Sequence, residues 1–468
     1  MEIEMKWMDE INEDIKNSGH DEKEQWRKHS IYKIPSQVTD LNKKAYKPRA
    51  ISFGPYHYGE ESLKAMEAQK QRALVHFLKR CKKPIEFLFQ CMDQVADELK
   101  DSYMPLDNDW KNDTPKFLRM MILDGCFILE ILRVNDPEIS VVDYDENDIV
   151  FGKHGKVHVL PYVKRDMLML ENQIPMKVLH ILTKVETAVD EEDDYELNTK
   201  IIKLLNPIFM EDTSSNEKIK ELGKCMHVLD LYRKSLILEE PSYPPPPPKP
   251  QKGKENCLCL EAGEIDHIIR SAIELQEAGI RFKKSKTRSL KDFSFNRGVL
   301  WLPALKLDDG TEYMFLNLIA FERIHVGAGN EITSFIFLMD TIIDSAMDVP
   351  ILSRSGILIN ALGNDKVVAK LFNSMSKEIP VERGGHLDIV RNSMNRYCKK
   401  PWKNWRASLI HTYFRNPWAI VSLVAAIFLF ALTIIQTIYT VRQFYQNPNP
   451  SPSPTKSPSF PVTPRRRP

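Results

Sequence analysis

The residues of this chain best suited to chemistry are acids set in apolar surroundings. Asp124 and Glu130 lie in MILDGCFILEILR, and Asp166, Glu171 and Asn172 lie in DMLMLENQIP. A carboxylate taken out of water without a partner costs several kcal/mol. Each acid therefore needs a cation, backbone donors, a metal or a shifted pKa. Two such segments side by side could build a metal-assisted hydrolytic site, with His57 as base or ligand. The competing reading is structural: helix caps and buried pairs with residues such as Arg119, Arg133 or Arg165. His57 sits in ISFGPYHYGE, where Gly54 and Gly59 permit unusual dihedrals and Pro55 fixes one. That pattern also describes an ordered turn whose aromatics plug the core, ending where Ser62 begins a helix. His227 and Asp230 read as one internal hydrogen bond rather than a dyad.

Other signatures are missing. Gly-Lys occurs at Gly152, Gly155, Gly223 and Gly253 but is never followed by Ser or Thr, so no P-loop can place a hydroxyl on magnesium. Gly327-Ala328-Gly329 lacks the third glycine of a dinucleotide fingerprint. There is no G-x-S-x-G elbow and no H-E-x-x-H helix. Cys257, Cys259 and His267 offer three soft ligands, without the spacing or the fourth ligand of a structural zinc module. No catalytic residue, cofactor or metal ligand is assigned on these grounds. Seven scattered cysteines suit a reducing compartment. With 65 Lys and Arg against 64 Asp and Glu, the chain has no global basic excess with which to bind nucleic acid.

The elements that must carry these residues are mostly helical. Leu63, Met66, Leu74, Phe77 and Leu78 form one stripe, and PKFLRMMILDGCFILEILR is apolar nearly all round and so central. Ile219, Leu222, Met226, Leu229 and Leu236 repeat the helical period. A helix around Ile265 to Ala278 should stop at Gly279. Residues 281–298 and 298–307 alternate as strands do, with a hairpin-like turn at Asp308 to Gly310, and helices follow from Tyr313, Ile332 and Lys366. The expected fold is α+β: a predominantly helical body, a small antiparallel sheet and one C-terminal transmembrane helix. Its divisions are an acidic segment (1–30), a helical half (31–238), a Pro-rich linker (239–256), a second half (257–415), the span (416–442) and a disordered Pro-rich tail (443–468). DEEDDYE, from Asp190, reads as a solvated loop.

The span runs from Trp418 to Val441, with no charge between Arg415 and Arg442. About 24 residues at 1.5 Å each cover ~36 Å, enough for a ~30 Å hydrocarbon core with some tilt. Its thirteen Leu, Ile, Phe and Val side chains contribute on the order of −4 to −7 kcal/mol to insertion. Lys399, Lys400, Lys403, Arg406 and Arg415 precede it, against Arg442 and Lys456 after it, which places the body in the cytosol. Thr433, Gln436, Thr437 and Thr440 could pair two spans or simply bond their own helix. Trp402, Trp405, Leu409 and Tyr413, among lysines and Arg406, could lie in the headgroup layer or pack on the body.

Several segments together carry a resemblance: IYKIPSQVTDLNKKAYKPRAISFGPYHYGEESLKAMEAQKQRAL, MILDGCFILEILR, MLMLENQIP, HVLDLYRKSL, ITSFIFLMD, GILINALGND and YFRNPWAIVS. In order, from about Ile31 to Val441, they resemble the plant family called domain of unknown function 247. Gly54, Pro55, Tyr56 and His57 match its Gly-Pro-Tyr-His signature, Asp124 to Phe127 its Asp-Gly-Cys-Phe segment, and Leu170 to Gln173 its Leu-Glu-Asn-Gln. Tyr58 stands where many relatives have a second histidine, which weakens a paired-histidine metal site. The resemblance implies a single-pass plant membrane protein without an established activity; some grass relatives are male determinants of self-incompatibility. Its implied partners are the lipid bilayer and other proteins, with no nucleic acid. The expected function is that of a membrane-anchored interaction or signalling protein, a tethered hydrolase and a recognition determinant being the alternatives.

Overall fold

The structure, a computed structural model, describes residues 7–8, 11, 28–40, 42–137, 139, 143–187, 194–207, 215–238, 271–377, 385–399 and 417–446. The expected connector, the Cys257, Cys259 and His267 trio, the stretch around Trp402 and Trp405, and the tail after Gln446 lie outside these residues. Two units are described separately, divided at Lys403.

The first unit is organised around the Thr114–Val134 helix. Asp113 caps it by accepting the Lys116 N–H at 3.0 Å, and Pro115 occupies its first turn. Sixteen of its residues are buried, as a sequence apolar on every face requires. The Lys64–Cys81, Ile85–Asp93 and Met176–Thr187 helices pack around it. Gly125 allows the closest approach: a Cβ there would meet Leu182 Cδ1 at 2.5 Å and Val178 Cγ1 at 2.9 Å. These helices enclose one apolar core. A second core gathers residues from Ala272 to Cys398, joined by Ile34, Ala45, Tyr46, Leu168, Leu170, Leu229 and Tyr232 from the first half of the chain. The second core is thus shared by the two halves, and the first is built from the first half.

The α+β class holds, and the sheets are small. Ser294–Asn296 and Val299–Leu302 form an antiparallel hairpin, and Arg281–Lys284 adds to it in parallel. Ile31–Tyr32 with Tyr103–Met104, and Leu305–Leu307 with Leu358–Asn360, are parallel pairs. The hairpin turn is Arg297-Gly298, both at positive φ (47° and 81°), the two-residue geometry that matches strand twist. Asp308 to Gly310 makes no hairpin; it opens the Thr311–Ile324 helix, with the Asp308 N–H donating to Thr311 Oγ1 and the Thr311 hydroxyl donating to Asp308 Oδ1. Gly279 stops the Ala272–Glu277 helix at φ 88°, with the Ile280 N–H reaching back to the Leu275 carbonyl. Asp194 belongs to the Asp194–Leu205 helix rather than to an acidic loop.

The stripe from Ile219 to Leu236 is divided between two helices, Ser215–Leu222 and Val228–Ile237. Gly223, at φ 57°, ends the first, and His227 starts the second. The His227 ring accepts the Asp230 N–H at Nδ1, while Asp230 Oδ2 accepts the Met226 N–H, a reciprocal cap. His227 Nε2 lies 3.0 Å from the Ser30 carbonyl, which fixes the neutral tautomer with its proton on Nε2. Protonating Nδ1 would set one N–H against another. Burial, partly opposed by Asp230, lowers the His227 pKa from 6.5 to about 4. The stability it confers is complete above pH 6.5 and is lost as pH falls towards 4, about 3 kcal/mol in all. His227→Asn keeps a cap acceptor and removes the titration. In urea unfolding of the solubilised full chain, wild type should exceed H227N at pH 7.5, and the gap should close by pH 4.5. A gap independent of pH would refute this account.

Candidate functional site

The signature loop is held by side chains from other elements instead of by a neighbouring strand. The N–H groups of Arg49, Ala50 and Ile51 donate to the Asp166 carboxylate at 2.7–3.0 Å. The Phe53 N–H donates to Asn172 Oδ1 at 2.7 Å, and the Gly54 N–H to Asp124 Oδ2 at 2.8 Å. Asn172 Nδ2 returns two bonds, to the carbonyls of Ile51 and Asp166. Gly54 sits at φ 71°, and a Cβ there would lie 2.5 Å from the Gln173 carbonyl oxygen. Any other residue would be both strained and in collision.

Asp124 is paired with Lys70, at 2.7 Å, and Lys70 also meets Glu67 at 2.6 Å. Burial pushes the Asp124 carboxyl up to about 6, with Lys70 and the Gly54 N–H pulling against it. Lys70 itself is fully buried, and its two carboxylates outweigh burial and raise its pKa. Sequence reasoning missed this lysine. The signal was present, because Lys70 falls on the stripe of Met66, Leu74 and Phe77, where a charge must have a partner.

Glu130 belongs to a different cluster. It binds Arg80 and, at 2.8 Å, Arg133, and it accepts the Tyr144 hydroxyl at 3.0 Å. Arg133 was among the expected partners. Glu171 accepts the Ile34 N–H at 2.6 Å and lies 3.4 Å from His57 Nε2, while His57 Nδ1 is 2.7 Å from Glu60. Burial lowers the His57 pKa, but its two glutamates outweigh burial and set it above the ordinary value. Tyr56 packs edge-on against Tyr103 and donates to the Ile31 carbonyl, whereas Tyr58 is 41% exposed and rests on Trp110. Only part of the aromatic set plugs the core. Ser62 makes no cap; the helix grows from the Glu61–Leu63 turn.

The candidate residues therefore divide into separate arrangements. Asp124, Asp166 and Asn172 line the loop's backbone, Glu171 and His57 form a neighbouring pair, and Glu130 stands apart. Among the described residues, no three His, Cys, Asp or Glu side chains form a group that could hold a metal. Asp166 and Asn172 accept from main-chain donors of the loop, whereas Gln173 donates to the carbonyls of the turn it belongs to. Its Nε2 donates to the Met167 and Met169 carbonyls, and its Oε1 accepts the Leu229 N–H.

Asn172→Ala would leave the buried Phe53 N–H and Ile51 carbonyl without partners, at ~1–3 kcal/mol each, and the Asp166 carbonyl with only the Met169 N–H at 3.4 Å. The full chain should lose about 3 kcal/mol or more in urea unfolding, against about 1 kcal/mol for Asp113→Ala, which removes only a helix cap. A loss below 1 kcal/mol for N172A would show that the loop does not depend on this scaffold.

The chain matches the model of a plant protein family of unknown function, domain of unknown function 247, over residues 31–432. It is 30% identical over 426 residues to a UPF0481 protein of Arabidopsis thaliana, an alignment covering 88% of this chain and 86% of that protein. A putative UPF0481 protein of the same plant is 22% identical over 486 residues, covering 87% of this chain and 89% of the relative. No solved structure gives a significant match. A match running from the first strand into the C-terminal apolar helix includes the whole scaffold described above, and the chain belongs to this plant family of unknown function, domain of unknown function 247.

Proposed function

We propose that the protein is anchored in a membrane by a single span and that its cytosolic body binds other proteins, as a signalling or recognition component. The observation that carries the anchor is the Pro417–Gln446 helix, 30 residues long. Its Val424–Gln443 stretch has a mean hydropathy of 2.1, and none of it is buried. This helix is long and apolar enough to cross a bilayer. Val424, Ile427, Phe428, Leu429, Phe430 and Ile438 are each about 60% exposed or more. In water such a surface costs ~1.5 kcal/mol or more per large side chain, a cost that a hydrocarbon core removes. The hydroxyls of Thr433, Thr437 and Thr440 donate to carbonyls four residues earlier, so their polar groups are satisfied within the helix and can enter lipid singly. The excess of basic residues before the span supports a cytosolic body. Saturation of the buried acids by internal donors supports a binding role over hydrolysis.

Alkaline carbonate extraction of membranes tests the anchor. The full chain should remain in the pellet, and a chain ending before Trp418 should be released. Equal behaviour of the two would overturn the reading. With tags at both ends, protease added to sealed vesicles should digest the body and spare the tail; the reverse pattern would invert the topology.

A further inference from the structure

A cavity of about 680 Å³ lies at the seam between the two halves of the body. One wall carries Val38, Asn42 and Tyr46; the other comes from the Thr311–Ile324 helix, the loop after it, and the end of the Asp365–Met375 helix. Its apolar lining includes Leu316, Ile319 and Met375. Glu312 ties the walls together, with its Oε1 accepting from Asn42 at 3.1 Å and from Ser374 at 3.3 Å. Glu322, also lining the cavity, is spent on Arg233 and on the N–H groups of Ile332 and Thr333. His325 Nδ1 meets the Tyr32 hydroxyl at 3.0 Å.

Three lining groups remain. Tyr46 is only 4% exposed, yet its hydroxyl makes no hydrogen bond among the described residues. A hydroxyl that lines a cavity and has no protein partner is available to bond an occupant. Arg323 and Lys377 are exposed cations that form no ion pair among the described residues. Burial pushes the Tyr46 phenol up to about 12, with Arg323 pulling down and Glu312 pushing further up, so at neutral pH the hydroxyl keeps its proton and can donate. An apolar pocket with a few convergent polar groups is the usual form of a small-molecule site, and its remaining donors select an anion.

We propose that this cavity binds a small organic acid, with its apolar ring or chain against Leu316, Ile319 and Met375 and its carboxylate held by Arg323 and the Tyr46 hydroxyl. Lys377 adds a second positive charge at the rim. Because the walls come from both halves of the body, an occupant would join them, and this holds whether or not the chain is anchored in a membrane.

The test is calorimetric titration of the full chain in lipid nanodiscs, with empty nanodiscs as the blank for partitioning. The probes share one apolar body: 2-naphthoate, 2-naphthalenemethanol and 2-naphthylmethylamine. Naphthoate should bind at least tenfold tighter than the alcohol or the amine. Arg323→Gln, at an exposed position that leaves the fold intact, should weaken naphthoate about tenfold and leave the alcohol unchanged; Arg323→Lys should recover part of the loss. Tyr46→Phe, which removes one oxygen, should weaken naphthoate by roughly threefold to tenfold. The proposal is overturned if no probe gives saturable heat above the blank, if the three bind equally, if the amine binds tightest, or if naphthoate is indifferent to both R323Q and Y46F.

Discussion

A stretch of backbone that no strand accompanies must still satisfy its hydrogen bonds, and in this body the answer is three side chains. Between Arg49 and Gly54, five N–H groups end on Asp166, Asn172 and Asp124. Ile51 to Gly54 are buried, so water cannot take over these bonds. Of the three acceptors, two are carboxylates and one is an amide that also donates back to the loop. A carboxylate has room for several donors, which is why a single Asp166 can hold three successive residues where a neutral acceptor would saturate. Asp124 and Asp166 are thus where they are because the loop needs dense acceptors.

The same device reaches into the second half of the body. The turn between the Leu160–Asp166 and Met176–Thr187 helices is buried irregular backbone, satisfied partly by its own amide side chains and partly by residues of other elements. Asn172 and Gln173 cover the carbonyls of Asp166, Met167 and Met169, and Tyr103 covers that of Gln173. Leu168 and Leu170, on this turn, enter the second core, and the Leu170 N–H donates to Asn317 at 3.0 Å. Asn317 then donates to the Ala45 carbonyl, just before the loop begins. A chain of amides and carboxylates therefore runs from the loop, through the turn, to the Thr311–Ile324 helix. Two apolar cores, both of which Leu205 packs against, are registered against each other by polar groups whose geometry tolerates no slip.

How much of this could be read from the residues depends on the range of the interaction. The Thr114–Val134 helix was legible because its apolar residues surround the whole helix, and Gly279 because a left-handed cap follows from the local chain. The break at Gly223 to His227 was hidden, since the apolar period continues across it in phase. Asp308 to Gly310 reads equally well as a turn or as a helix start, and only the Thr311 hydroxyl decides between them. That Asp124 and Glu130 needed partners was plain from their surroundings. Arg133, one turn along the same helix, was a readable partner for Glu130; Lys70 and Arg80 were not, because they lie about 50 residues away on another helix. Sequence shows the need for a counter-charge, whereas the fold selects it.

The balance of donors and acceptors bears on chemistry as well as stability. A carboxylate that accepts several main-chain N–H groups can take a proton only by weakening those bonds, so Asp166 could act as a base only at the expense of the loop it supports. Asp124 is bound in the same way, by Gly54 on one side and Lys70 on the other. Asp166 and Asp124 are committed, and the polar groups left at the cavity are of the opposite kind: Tyr46, Arg323 and Lys377 are donors that lack acceptors among the described residues. Donors of this kind facing a cavity are the complement of an anion, which is the chemistry the proposed organic acid would supply.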